Sequence, residues 1–277
     1  MSESNRLITV FAEQVRTRFQ PDRLESFWDC EPLFRKLADP GFVEAVLVAQ
    51  LKALVADPNH VGDWPPKQIM LHRGAGFALS LAVFDTPRRY IHSTPFLGLY
   101  APIGGRPLVV DRFRLPAGYD NAVFDPSLKL ERDAGLTVAP SEVLRLQSQQ
   151  FAYDFQIGEP QLVLKLTTAP FQMLEWLFSK ETLHPWQAND ADLSSTQLRV
   201  GAYLLGRLAH QSSLAPLQDL AGHANPNVRW AAIQSIGRLS RSEALKRLKV
   251  ALDDPHPHIR RAAKKSLDRA EQAPRKR

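Results

Sequence analysis

Cysteine is nearly absent from this chain: Cys30 is the only one among 277 residues. That excludes intramolecular disulfides and cysteine-built metal frameworks, and it fits a reducing, cytoplasmic setting. No apolar run approaches the roughly 20 residues needed to cross a bilayer, so no membrane partner is expected. The opening stretch MSESNRLITVFAEQ has no basic segment ahead of an apolar one, and no signal peptide is expected from it. Neither GxGxxG nor a P-loop lysine is present, so the nucleotide-cradling signatures are missing. Cys30 itself, in FWDCEPLF, sits beside acidic residues that disfavour a thiolate, which argues against a nucleophilic role. Ser93, Ser141 and Ser148 have no neighbouring motif that would supply a base.

What remains is an ordinary globular composition, 44% hydrophobic and 23% charged, at a length that suggests about two domains. Charge is uneven. Residues 226–277 carry fourteen Lys and Arg against five Asp and Glu, a local +9 in a chain of net +6, which leaves the remainder at −3. Such a basic end is either a solvated helical face or a surface for an acidic partner or nucleic acid.

The hydrophobic period divides the chain into three. In residues 1–62 it is helical. Leu7, Ile8, Phe11, Val15 and Phe19 recur near the helical spacing, and FVEAVLVAQLKALVADP places Phe42, Val43, Val46, Leu47, Leu51, Leu54 and Val55 on one broad face. A face this apolar is expected to cover the sheet that follows.

Residues 63–180 read instead as short strands. FALSLAVFD, RPLVVDRFRLP, LKLERDAGLTVAP, EVLRLQSQQFAYDFQ and PQLVLKLTTAP are separated by turn residues, and YIHSTPFLGLYAPIGG reads as a strand bearing His92 that ends in a Gly-Gly turn. With no crossover helices between them, an antiparallel sandwich or barrel is predicted. Trp176, Phe178, His184 and Trp186 follow the last expected strand and read as packing between domains.

Residues 190–277 are helical and repeat. Leu205-Gly206-Arg207 recurs as Ile236-Gly237-Arg238 and Leu267-Asp268-Arg269. Leu214 and Leu217 recur as Leu245 and Leu248, each at an offset of 31 residues. A single period kept by several positions is the mark of a solenoid. These units resemble HEAT-like repeats, which implies stacked helix pairs presenting a continuous partner surface. Arg207, Arg238, Lys246, Arg261, Lys265 and Arg269 are the candidate partner-surface residues.

The strand section resembles the cupin superfamily, in particular its cysteine-dioxygenase-like branch. Two stretches carry the resemblance: FALSLAVFDTPRRYIHSTPFLGLYAPIGG and LTVAPSEVLRLQSQQFAYDFQIGEPQLVLKLTTAP. The family pattern implies a jelly roll with a metal held by His-x-His, a following Glu and a His from a second motif. Residues i and i+2 of a strand share a face, which is why the first pair can share an ion. Here the series begins with His92, continues with Thr94, meets Gly98 or Leu99 at the Glu position and Ala152 at the second His; a slip brings Gln150, Tyr153 or Asp154. One imidazole is too few for a catalytic site. His60 and His72 could complete it only by swinging into the barrel mouth.

The whole is therefore expected to be an antiparallel jelly-roll barrel with N-terminal helices and a C-terminal α-solenoid of HEAT-like helix pairs. No cofactor and no metal are expected. His92, Thr94, Tyr100, Gln150 and Tyr153 are candidates to line a pocket for a small ligand. The function read from this is a non-catalytic adaptor that binds a protein or peptide through its repeats. A cupin oxygenase with a non-standard site and a nucleic-acid binder are the alternatives.

Overall fold

A computed structural model describes residues 3–57, 67–140 and 142–272. They form two compact units. One comprises the described residues up to Tyr119 together with Asp125–Ala188; the other comprises Asp120–Phe124 and the described residues from Asn189 onward. His60 and Ser141 lie outside the described residues.

The first unit opens with α1 (Glu3–Arg18), a short 3-10 helix (Leu24–Cys30), α2 (Glu31–Leu37) and α3 (Pro40–Ala56). Asp39 caps α3 by accepting from the Phe42 amide at 3.1 Å, and Pro40 occupies its first turn, where a missing N–H costs nothing. The expected apolar face of α3 is covered unevenly, with Leu47 and Leu54 half-buried. Phe42, Val43 and Val46 are buried, whereas Leu51 and Val55 are 57% and 84% exposed.

Twelve strands follow: β1 (Gln68–Arg73), β2 (Phe77–Phe84), β3 (Tyr90–Ser93), β4 (Gly98–Ile103), β5 (Leu108–Arg114), β6 (Glu131–Arg132), β7 (Leu136–Val138), β8 (Leu144–Leu146), β9 (Phe151–Gln156), β10 (Gln161–Thr168), β11 (Leu174–Ser179) and β12 (Pro185–Asp190). One sheet runs β1-β2-β10-β4-β8, the other β12-β11-β3-β9-β5-β6, with β7 also on β5. Every described pairing is antiparallel. The cores of the two sheets, β2-β10-β4-β8 and β3-β9-β5-β7, interleave as the two Greek keys of a jelly roll do.

Two details differ from the sequence reading. YIHSTPFLGLYAPIGG is not one strand. It breaks after Ser93 at Thr94-Pro95, and the chain passes from the sheet of β3 to that of β4; Pro95 has no N–H to continue a ladder. Trp176, Phe178 and Trp186 do not follow the last strand either, because they lie within β11 and β12. Trp176 and Phe178 are completely buried there, and Trp186 stacks on Tyr90.

The outer face of the first sheet meets the helices. Leu79, Leu81, Leu99, Ala101, Leu164 and Leu166 share one core with Phe11, Val15, Phe27, Phe34 and Phe42. Cys30 is buried in this core, and burial pushes its thiol up to about 11, with Arg18 opposing and Asp29 adding to the shift.

The second unit contains α4 (Leu193–Leu208), α5 (Leu214–Leu220), α6 (Pro226–Leu239), α7 (Arg241–Val250) and α8 (Pro257–Gln272). The 31-residue period appears as packing layers. Leu205, Leu214, Leu217 and Ile236 lie in one apolar cluster, Leu248 and Leu267 in the next. Gly206 is required by the close approach of α4 and α6, since a Cβ there would lie 2.6 Å from that of Ser235. A second periodic device is polar. Arg229 Nη1 donates to the carbonyls of His223 and Ala224, both at 2.8 Å. One period later, Arg260 Nη1 donates to those of Asp254 and Pro255 at 2.6 and 2.8 Å. Each arginine ties its helix to the turn before it. His256 Nε2 donates to the Ala122 carbonyl at 2.9 Å, which holds the Asp120–Phe124 segment against the start of α8.

Candidate functional site

The two sheets face each other across a cluster in which Tyr100 and Val163 meet Val110, Tyr153 and Phe155. Residues directly opposed on neighbouring strands share a face, so register decides what looks inward. His92 is opposed to Tyr153 and to Leu177. Tyr100 is opposed to Lys165, and Lys165 to Ser80. The inner wall therefore carries His92, Tyr153, Tyr100 and Lys165.

Of the expected pocket residues, His92, Tyr100 and Tyr153 are brought together on this wall. Thr94 is buried with a hydroxyl that has no hydrogen-bond partner among the described residues. Gln150 does not belong to the pocket: it is exposed in the turn before β9, where its carbonyl accepts from the Leu115 amide at 2.9 Å. Ala152, aligned with the second family histidine, is opposed to Ser93 and Phe113 and so faces away from the interior. Tyr153 takes the inward position, where its hydroxyl accepts from the Gln147 amide at 2.9 Å and donates to the Arg145 carbonyl at 3.3 Å. Burial pushes that phenol up to about 12, against the Gln147 bond and Arg112. Asp154 faces outward and pairs with Lys180 at 2.6 Å.

The donor set at His92 is short. His92 Nδ1 lies 2.9 Å from Glu175 Oε1, on the inward side of β11. Among the described residues no three His, Cys, Asp or Glu side chains converge. His72 does not assist: it is opposed to Leu79, on the helix-covered face, and stacks on Phe77. One imidazole and one carboxylate do not fit a divalent ion that takes three or more protein ligands.

A different group dominates the other part of the wall. Lys165 Nζ lies 3.2 Å from Gln68 Oε1 and 5.5 Å from the centre of the Tyr100 ring. Burial, reinforced by the positive charge of Arg88, lowers its amine from an ordinary 10.5 to about 8. Burial raises the Tyr100 phenol to about 12, with Arg88 opposing and Glu175 adding to the shift. A cavity of about 280 Å³ opens beside Lys165, lined by Gln68, Phe84, Arg88 and Phe155 among others. Nothing in sequence singles out Lys165, Arg88, Gln68 or Glu175 as a motif. The one signal is alternation in QLVLKLTTAP, where Leu162, Leu164 and Leu166 fill one face and Lys165 interrupts the other.

In the helical unit all six expected surface residues are exposed. Two of them are engaged within the molecule: Arg238 lies 5.2 Å over the Tyr203 ring, and Lys246 pairs with Glu243 at 2.7 Å. Arg261, Lys265 and Arg269, at i, i+4 and i+8, make one stripe along α8.

A family of HEAT repeats matches residues 194–268. No curated protein matches the chain. Solved structures similar to part of this chain include hydroquinone 1,2-dioxygenase PnpCD, at 12% identity over 38% of this chain and 66% of that one, with a TM-score of 0.31. The hydroquinone 1,2-dioxygenase of Sphingomonas sp. TTNP3 gives 13%, the same coverages and the same TM-score. A cupin superfamily protein from Desulfitobacterium hafniense DCB-2 gives 15% identity over 36% of this chain and 74% of that one, with a TM-score of 0.24. The chain thus spans just under two thirds of either dioxygenase chain, and likeness at this level carries no argument about activity.

Proposed function

We propose that this chain is a non-catalytic binding protein, in which the HEAT-like helix array docks a protein or peptide partner and the barrel is a ligand pocket without a resident metal. The observation that carries the docking reading is an apolar stripe on α4. Val200, Leu204 and Leu208, at i, i+4 and i+8, are 47%, 52% and 73% exposed, and a contiguous exposed apolar stripe on a helix is a contact surface in search of a partner. Arg207 borders it. HEAT-like arrays serve mainly in protein contacts, which supports the reading by analogy of fold. The single, buried cysteine suits a reducing compartment, and we read the protein as cytoplasmic. No helix among the described residues is long and apolar enough to cross a membrane.

The test is a parallel affinity capture from lysate of the source organism with the native chain and a Val200→Ser/Leu204→Ser/Leu208→Ser variant. Exposed substitutions of this kind change stability by about 0.5 kcal/mol or less each, so both proteins should fold alike. A protein retained by the native chain and lost with the variant supports docking; identical capture by both removes it. The Arg261-Lys265-Arg269 stripe favours a second reading, nucleic-acid binding. Its mark would be duplex affinity that falls steeply with salt and is lost in the triple Ala variant of that stripe.

A further inference from the structure

We propose that the Lys165 end of the barrel binds a small organic carboxylate, with the carboxylate held by Lys165 and Arg88 and the carbon body laid against Phe84 and Phe155. The proposal deepens the reading of the barrel as a pocket and is independent of what docks on α4.

Three observations lead to it. The first is charge without a counter-charge. Among the described residues the cavity is lined by Lys67, Arg88 and Lys165 against a single acid, Asp85. Asp85 is already taken, because Lys67 Nζ donates to it at 2.6 Å. Among the described residues Lys165 has only the neutral Gln68 amide within hydrogen-bond distance, and Arg88 has the face of the Phe155 ring at 5.9 Å. Among the described residues two cations therefore look into one space with no anion paired to either.

The second observation is where they stand. Arg88 is exposed at the rim, after β2, whereas Lys165 is in the middle of β10 and only partly accessible. A ligand entering past Arg88 meets Lys165 deeper in. The lowered amine pKa of Lys165 supports this, since a buried ammonium without a partner is disfavoured and an incoming anion would supply the partner. The third is the wall. Phe84 and Phe155 pack edge to face at 5.1 Å, and Phe155 stacks on Tyr100 at 5.8 Å. An aromatic wall with a few convergent polar groups is the usual make-up of a site for a small organic ligand. A bare inorganic anion would leave that wall uncovered.

Calorimetric titration of the full chain with hexanoate and phenylacetate, beside hexanamide, phenylacetamide and inorganic phosphate, tests the assignment. The carboxylates should bind about tenfold or more tighter than their amides, as the loss of one charge-assisted hydrogen bond would produce. Phosphate should not compete. Lys165→Met and Arg88→Met should each weaken the carboxylates by a similar factor; Arg88 is exposed, so its variant keeps the test valid if the Lys165 variant folds poorly. The Val200→Ser/Leu204→Ser/Leu208→Ser protein should bind carboxylates as the native chain does, whatever that variant does to partner capture. Equal binding of acids and amides would leave a pocket but overturn its ligand class. Equal or tighter binding of phosphate would overturn the carbon-body assignment. No binding of any compound in the millimolar range would overturn the proposal and the pocket reading together.

Discussion

Two charged groups withdrawn from solvent, one in each unit, are handled in opposite ways. In the helical unit Arg229 and Asp254 are both nearly inaccessible, and each is satisfied by the other: Nε and Nη2 of Arg229 meet the two carboxylate oxygens at 3.0 and 2.7 Å. Burial works to raise the Asp254 carboxyl, but Arg229 and the His256 amide hold it below the usual range. In the barrel Lys165 has an uncharged amide and a ring instead. A buried charge matched by its own chain belongs to the architecture. A buried charge left to a neutral partner is placed where something else can complete it.

The largest effect that would break this comparison lies at Arg229. Arg229→Ala should destabilise the protein by about 3–5 kcal/mol, because it strands a buried carboxylate and releases two turn carbonyls. Arg260→Ala removes the same turn contacts one period later at an exposed position, and should cost about 1 kcal/mol or less. Urea unfolding of the two variants measures the difference. Equal losses would mean that the repeat position, rather than the buried pair, sets the energy.

That contrast also explains what the sequence makes legible. The 31-residue period is written in residues near one another along the chain, and the arginines of the repeat do local work, so the helix pairs can be read directly. The jelly roll is legible as a class, from strands without crossover helices. Its site is not. Lys165, Arg88, Gln68 and Tyr100 come from four separate stretches and meet only through the register of β1, β2, β10 and β4. The family pattern points to His92 and Ala152, but register turns Ala152 outward and puts Tyr153 in the inward place. Gln150 was out of reach for a related reason: a residue one step before a strand has no face assigned by alternation. The strand β11, with Glu175, is hidden because LEWLF reads as an aromatic cluster before it reads as a strand.

Lys165 should behave in the opposite sense to Arg229. Its amine titrates near 8 in the folded chain and near 10.5 when exposed. Below about 8 both states are protonated, and the folded state bears the whole cost of a desolvated charge. Between those values the unfolded chain binds more protons, so stability rises with pH, and above 10.5 the cost is gone. Lys165→Met should therefore stabilise the protein at pH 7, by at most about 3 kcal/mol, with the gain shrinking as pH climbs through 8 to 10. Denaturation midpoints of both proteins at pH 7 and pH 9.5 provide the measurement. A destabilised Met variant at pH 7 would show that Lys165 has a counter-charge after all, and would return it to the class of Arg229.

The smallest effect is expected at His92. Its contact with Glu175 is a single hydrogen bond between two side chains that are 22% and 30% exposed, and pairs open to solvent to that degree contribute about 1 kcal/mol or less. His92→Ala should therefore change stability little. It should also leave metal content unchanged, because one imidazole beside one carboxylate, with Thr94 rather than histidine two residues on, gives a divalent ion too few donors. The measurement is elemental analysis after purification without chelators and separate incubation with iron, manganese and zinc, in the native and His92→Ala proteins. Near-stoichiometric metal in the native protein that vanishes in the variant would contradict this. The barrel would then need a third ligand from outside the described residues, where His60 lies, and the oxygenase reading would displace the binding one.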